Sequence, residues 1–166
     1  MQEMLIYGVS FDLGSKQPIV LLKTADGNRF LPIWIGHPEA AAILMKLQNA
    51  STPRPMTHDL VTEILGQLNA EVVRITVTEL RENTFFAQIT VQQDGSEVEI
   101  DSRPSDAIAL AIRSDAPIYA AESVIEESAI EFEGEEINEE EMVDEFKKFL
   151  ENVSPDQFAV EDEEPG

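Results

Sequence analysis

Two Asp-Gly dipeptides constrain this chain more than any other feature. Asp26-Gly27 separates residues 17–24 from 29–35, and Asp94-Gly95 separates residues 85–91 from 98–100. The flanking runs are rich in Ile, Val, Leu and aromatic residues. Asp-Gly tolerates the positive φ that tight hairpin turns need, so each dipeptide predicts an antiparallel pair. Residues 3–11 add a third strand to the first pair. The second pair gains a strand upstream, where Val73, Ile75 and Val77 alternate with Arg74, Thr76 and Thr78.

Helical signals fill the space between these groups. In GHPEAAAILMKLQNA, Pro38 suits a first turn that needs no amide donor, and Glu39 suits the positive end of the helix dipole. His37 reads as the N-cap. Ala40, Ile43, Leu44 and Leu47 share one face. Pro53 and Pro55 end this helix. A second begins at Thr57 as N-cap and aligns Val61, Ile64, Leu65 and Leu68. DSRPSDAIALAIRSDAPI, residues 101–118, reads as a third helix, followed by a short strand at 117–120. Residues 122–137 are acidic and carry no assignable pattern. From Asn138, a capping box with Glu141 precedes Met142, Val143, Phe146, Phe149, Leu150 and Val153 at helical spacing. That helix must bury one face on its own domain or on a partner.

The element order predicts an α+β fold, with two antiparallel β groups separated by a helix pair, a third helix and a C-terminal amphipathic helix. One domain is expected at residues 1–121, with the acidic segment and amphipathic helix at 122–155. The acidic residues 156–166 are expected to be disordered.

The net charge is −22, and residues 122–166 hold 18 of the 33 acidic residues. A passive nucleic-acid binder would show a basic surplus, so any anionic substrate must meet a local group of arginines. The chain has no Cys, which excludes disulfides, thiolate metal sites and cysteine nucleophiles. This composition suits a reducing compartment. MQEMLIYGVSFDLGSK reads as a strand and not as a signal peptide. No apolar run nears the roughly 20 residues of a membrane span. A cytoplasmic protein without a membrane segment is expected.

Both His residues sit at helix starts, and imidazole titrates near neutrality. His58, beside Asp59, is either an exposed first-turn residue or an imidazole held by a carboxylate. Glu39, Asp59, Asp101 and Asp106 also lie near helix starts. They could share a hard cation if the three starts converge, or they could simply favour the helix dipole. Arg54, Arg103 and Arg113 are the anion-binding candidates. Arg103 is equally suited to a salt bridge with Asp101 or Asp106, and Arg113 is too far along the helix to share its spot. Trp34 could stack a base, but its apolar strand favours the core. HExxH, GxxxxGK[ST] and GxSxG motifs are absent, and Ser10, Ser102 and Ser105 lack a nucleophile context.

Three segments in order, FLPIWIGHPEAAAI (30–43), RPMTHDLVTEIL (54–65) and DSRPSDAIALAIRSDAPIYA (101–120), resemble the bifunctional nuclease family. The resemblance covers residues 4 to 125, and EFKKFLENVSPDQF is similar to the ending of bacterial members. Matching positions are Arg54, Pro55, Thr57, His58, Arg103, Pro104, Ser105, Asp106 and Ala107. The family takes its name from plant members that cut RNA and DNA. The resemblance therefore implies phosphodiester hydrolysis, RNA or DNA as substrate, and a homo-oligomer. The site is expected at His58, as general base, with Asp59 and Asp106. Arg54, Arg103 and Ser105 would bind substrate. Asp101 or Asp106 would hold a divalent cation such as Mg²⁺ or Mn²⁺. The rival reading is a non-enzymatic interaction or regulatory domain.

Overall fold

The computed structural model describes residues 1–131. The helix expected from Asn138 and the tail at 156–166 lie outside the described residues. Three antiparallel strands come first, namely β1 (Gln2–Phe11), β2 (Pro18–Thr24) and β3 (Arg29–Trp34). The helix pair is α1 (His37–Leu47) and α2 (Thr57–Gln67). A second antiparallel meander follows, β4 (Ala70–Arg81), β5 (Thr84–Gln93) and β6 (Ser96–Ser102). The described chain closes with α3 (Pro104–Ser114), β7 (Ile118–Ala120), α4 (Glu122–Ser128) and β8 (Ile130–Glu131).

The two β groups are halves of one eight-stranded sheet in the order β6-β5-β4-β7-β1-β2-β3-β8. The short β7 is the seam. It runs parallel to β4, with Ile75 opposite Ile118, and antiparallel to β1, with Met4 opposite Ile118. Joining β6 to β7 beside β4 requires a crossover, and α3 supplies it by lying over β4 and β5. Ala107, Ile108, Ala109, Leu110 and Ala111 are all buried, as expected for a helix that is apolar all round. They join Ala40 and Ile43 of α1, Val124 and Ile125 of α4, and inner-face residues of both strand groups in one core. Among the described residues, no helix is long and apolar enough to cross a membrane.

Several local expectations shift by a residue. The N-caps are Gly36 and Met56, not His37 and Thr57, so His37 and Thr57 are first-turn residues. Val72, not Val73, enters the core, because register shifts at Val72/Arg74 and Val77/Glu79 change the phase of β4. Asp94 and Gly95 both have positive φ, as the hairpin reading requires, whereas Gly27 does not. The first hairpin closes instead through the Gly27 amide donating to the Thr24 carbonyl. Leu47, Ile64 and Leu68 are exposed, so α1 and α2 bury narrower stripes than their periodicity suggests. The unassigned acidic stretch begins with α4 and the edge strand β8.

Candidate functional site

Each helix of the trio carries an acid at the third position of its first turn: Glu39 in α1, Asp59 in α2 and Asp106 in α3. Pro104 forces Arg103 into an extended backbone, which makes Arg103 the N-cap of α3. None of the three N-caps makes a side-chain capping bond. The first turns of α1 and α3 meet at one arginine, and that of α2 joins them through His58. Arg103 donates from Nε to Asp106 Oδ2 at 2.9 Å and from Nη2 to Glu39 Oε1 at 2.6 Å. The other Asp106 oxygen, Oδ1, lies 2.8 Å from His58 Nε2. The helix starts at 37, 57 and 103 therefore converge.

The electrostatics follow from these contacts. The His58 hydrogen bond, aided by Arg103, holds the Asp106 carboxyl below its ordinary value against the opposing effect of burial. Burial opposes the Arg103 charge, but hydrogen bonds to Glu39 and Asp106 outweigh it and raise the guanidinium pKa. His58 is nearly enclosed, with its side chain 12% exposed, while the Arg103 side chain is 53% exposed. The imidazole is fixed through Nε2, which leaves Nδ1 to exchange a proton. The guanidinium faces solvent and can trade a carboxylate for a phosphate.

Arg113 holds the scaffold behind this cluster. Its side chain is 6% exposed, and its Nε donates to Asp59 Oδ1 at 2.7 Å. Its Nη1 and Nη2 donate to the carbonyls of Ala109 and Ala42. The second Asp59 oxygen accepts the Met56 amide at 3.0 Å. Arg113 thus ties all three helices, and its hydrogen bond is the main reason the Asp59 carboxyl sits below its ordinary value.

The expected site residues separate into groups. His58, Arg103 and Asp106 meet directly. Asp59 lies next in sequence but faces Arg113, so the carboxylate holding His58 is Asp106 and not its neighbour. Adjacent helical positions point to different faces. Arg113, an anion-binding candidate in the sequence, is buried with all three of its nitrogens donating to these groups. Ser105 is 5% exposed, buried within the first turn of α3. Arg54 is exposed in the loop before α2 and has no ion pair among the described residues. Asp101 is exposed in β6, where it pairs with Gln88 of β5. Trp34 is buried in the sheet. The contact between Glu39 and Arg103 was not foreseen, although an acid at the same position of three helices was its available signal.

Among the described residues, no three His, Asp or Glu side chains are grouped to hold a metal ion. Both Asp106 oxygens and one Glu39 oxygen already accept hydrogen bonds from His58 and Arg103. As arranged, this set does not fit a divalent cation.

Known proteins bear on this arrangement. The model of the bifunctional nuclease domain matches residues 20–133, which include every residue of the cluster. A Mycobacterium tuberculosis protein named only as uncharacterised is 37% identical over 166 residues, covering 96% of this chain and 99% of its own length. Bifunctional nuclease 1 of Arabidopsis thaliana is 31% identical over 105 residues, covering 61% of this chain. A protein of the same name from Oryza sativa subsp. indica is 30% identical over 103 residues. The aligned part spans about a third of each plant protein, 32% and 31% respectively. The match extends over well more than half of the chain, and the chain belongs to the bifunctional nuclease domain family.

Proposed function

We propose that this chain hydrolyses phosphodiester bonds in RNA or DNA at the cluster of His58, Arg103 and Asp106. The observation that carries this reading is the hydrogen-bonded chain from His58 through Asp106 to a half-exposed Arg103. Asp106 orients the imidazole, and His58 Nδ1 takes the proton of an attacking water. The water oxygen bonds to phosphorus as the ester oxygen leaves. Arg103 exchanges Glu39 for a phosphate oxygen, and Arg54 is positioned in the adjoining loop to meet the backbone of a longer strand. Asp59 acts indirectly, by seating the first turn of α2 against Arg113. Ser105, buried within the first turn of α3, supports that helix.

No step is assigned to a divalent cation, because the carboxylates already serve His58 and Arg103. Mg²⁺ or Mn²⁺ would come with the phosphate of the substrate. The net charge of −22 makes such screening favourable. A cysteine-free chain suits the reducing cytoplasm as its working compartment.

Purified protein incubated with single-stranded RNA and DNA in Mg²⁺, Mn²⁺ or EDTA tests the proposal. Cleavage is expected, with loss in a His58→Ala, Asp106→Ala double variant. Unchanged cleavage in that variant would remove the cluster from consideration.

A second reading, a non-enzymatic oligomeric interaction domain, rests on α2. Met56, Leu60, Ile64 and Leu68 are four residues apart in turn, which aligns them along one side, and they are 43–59% exposed. Such a row fits a homo-oligomer contact. Light scattering separates the two readings. A protein that assembles through α2, loses assembly with Leu60→Asp and cleaves nothing would favour the second.

A further inference from the structure

We infer that β6 is a docking edge for an extended partner segment that alternates basic and apolar residues. Among the described residues, β6 is the last strand on its side of the sheet. Its pairing with β5 runs without a bulge from Gln93 opposite Ser96 to Ala87 opposite Ser102. One side of the strand is thereby fixed, and alternate residues offer their N–H and C=O groups on the other. The strand contains no proline, and all of it is exposed except half-buried Ser102. A regular, open edge of this kind is a template for one more strand.

The two faces of β6 set what that strand must carry. Val98 lies opposite Val91 and Ile100 opposite Ile89, and both partners belong to the main core. Val98 and Ile100 therefore stand on the core side of the sheet. They remain 53% and 45% exposed, because α3 lies over β4 and β5. Glu97, Glu99 and Asp101 occupy the opposite face, beside Gln92, Thr90 and Gln88. Arg74 pairs with Glu97 at 3.1 Å, whereas Glu99 and Asp101 have no ion-pair partner among the described residues. An added strand would place apolar side chains beside Val98 and Ile100, and lysine or arginine beside Glu99 and Asp101.

Charge decides the occupant. Two copies of β6 paired with their apolar faces together would set acids beside acids, since all three acids share one face, and like charges on adjacent strands repel. The sequence after Glu131 is acidic too, with glutamate at 139–141. Acids on an open edge guard against pairing of this kind. The same row attracts a strand of opposite charge, so the feature that rejects a second copy selects a basic partner.

Amide hydrogen exchange of the full-length chain, followed by nuclear magnetic resonance, tests the edge directly. The probe is a capped heptapeptide of alternating lysine and valine. At low salt it is expected to slow exchange of the outward amides of β6 several-fold, with little change in α1, α2 and α3. The same peptide with proline in place of valine keeps the charge but cannot donate a full ladder, and should leave β6 unchanged. In a Glu99→Lys, Asp101→Lys variant, shown to be folded by far-UV dichroism, the effect of the lysine peptide should fall several-fold although the chain stays acidic overall. Equal slowing by the proline peptide would reduce the contact to bulk charge and overturn the inference. An undiminished effect in the folded variant, or no slowing of β6 by the lysine peptide, would overturn it as well. So would outward amides that already exchange slowly in the free chain: slow at every protein concentration would mean cover from within the chain, and slow only at high concentration would mean a second copy.

Discussion

Arg103 and Arg113 stand at opposite ends of α3, and each ion-pairs with an acid of α2 or α3 near the start of a helix. Arg113 is 6% exposed, and its three donor nitrogens are committed to one carboxylate and two carbonyls. Arg103 is 53% exposed and, among the described residues, its ion-pair partners are the carboxylates of Asp106 and Glu39. The difference lies in what each partner can do. A backbone carbonyl cannot leave, whereas a flexible carboxylate can be replaced by another anion. Arg113 is therefore a pin for the three-helix arrangement, and Arg103 is a cation whose partners are exchangeable.

The strongest break of this contrast is Arg113→Ala. It leaves Asp59 facing a cavity and removes a tie among three helices. We expect a loss of about 2–3 kcal/mol, below the full value for a buried pair because Asp59 retains solvent contact. Chemical denaturation measures it. Arg113→Lys should recover only part, since an ammonium cannot reproduce the forked contacts to Asp59 and Ala42. A loss no larger than that of Arg103→Ala would mean that burial does not separate the two arginines.

Asp106→Asn comes next, at about 1–2 kcal/mol, because it weakens bonds to both His58 and Arg103. Its signature is pH dependence. The folded state lowers the Asp106 pKa below the ordinary 3.8, so it stabilises the ionised carboxylate. That contribution is fully present above the unfolded value and is lost as pH falls through the lower folded value. The stability gap between native chain and variant should thus be constant near neutrality and close progressively below about pH 4. A gap that stays unchanged well below about pH 4 would refute the pairing.

These contacts explain how much of the molecule was legible in its sequence. Strands, hairpins and helices follow from periodicity and turn residues, which act over a few positions. The β4 bulges were hidden because Val72 and Val73 are chemically identical, and only pairing with β5 decides which enters the core. His58 and Asp106 were both named as site residues, but their contact spans 48 positions and the adjacent Asp59 supplied a plausible false partner. Arg113 reaches Asp59 across 54 positions. Such pairings depend on how α1, α2 and α3 lean together over the sheet. What the sequence did carry was the repeated acid at the same place in three helices, together with a proline that sets Arg103 at its cap.

Arg103→Ala should cost under about 1 kcal/mol, as exposed ion pairs do. It should nonetheless weaken binding of a short oligonucleotide by tenfold or more, since it removes the exchangeable cation. Titration at two salt concentrations checks both the affinity and its electrostatic origin. Unaltered affinity would place phosphate recognition elsewhere, with Arg54 the next residue to replace.

The finest test is Gly36→Ala. The backbone at Gly36 has φ −73° and ψ 157°, which alanine accepts without strain. A Cβ there would collide with Glu39 Oε2, so the carboxylate must move. Reduced entropy of the unfolded chain favours the variant by about 0.4–1 kcal/mol, which offsets the weakened Glu39 contact. Net stability should stay within about 0.5 kcal/mol of the native chain. Displacing Glu39 would still release one of the two carboxylates that hold Arg103. If Arg103 is an exchangeable cation, oligonucleotide affinity should rise two- to threefold while stability barely changes. A fall in affinity would instead make Glu39 part of the binding geometry, with its contact to Arg103 preorganising the guanidinium.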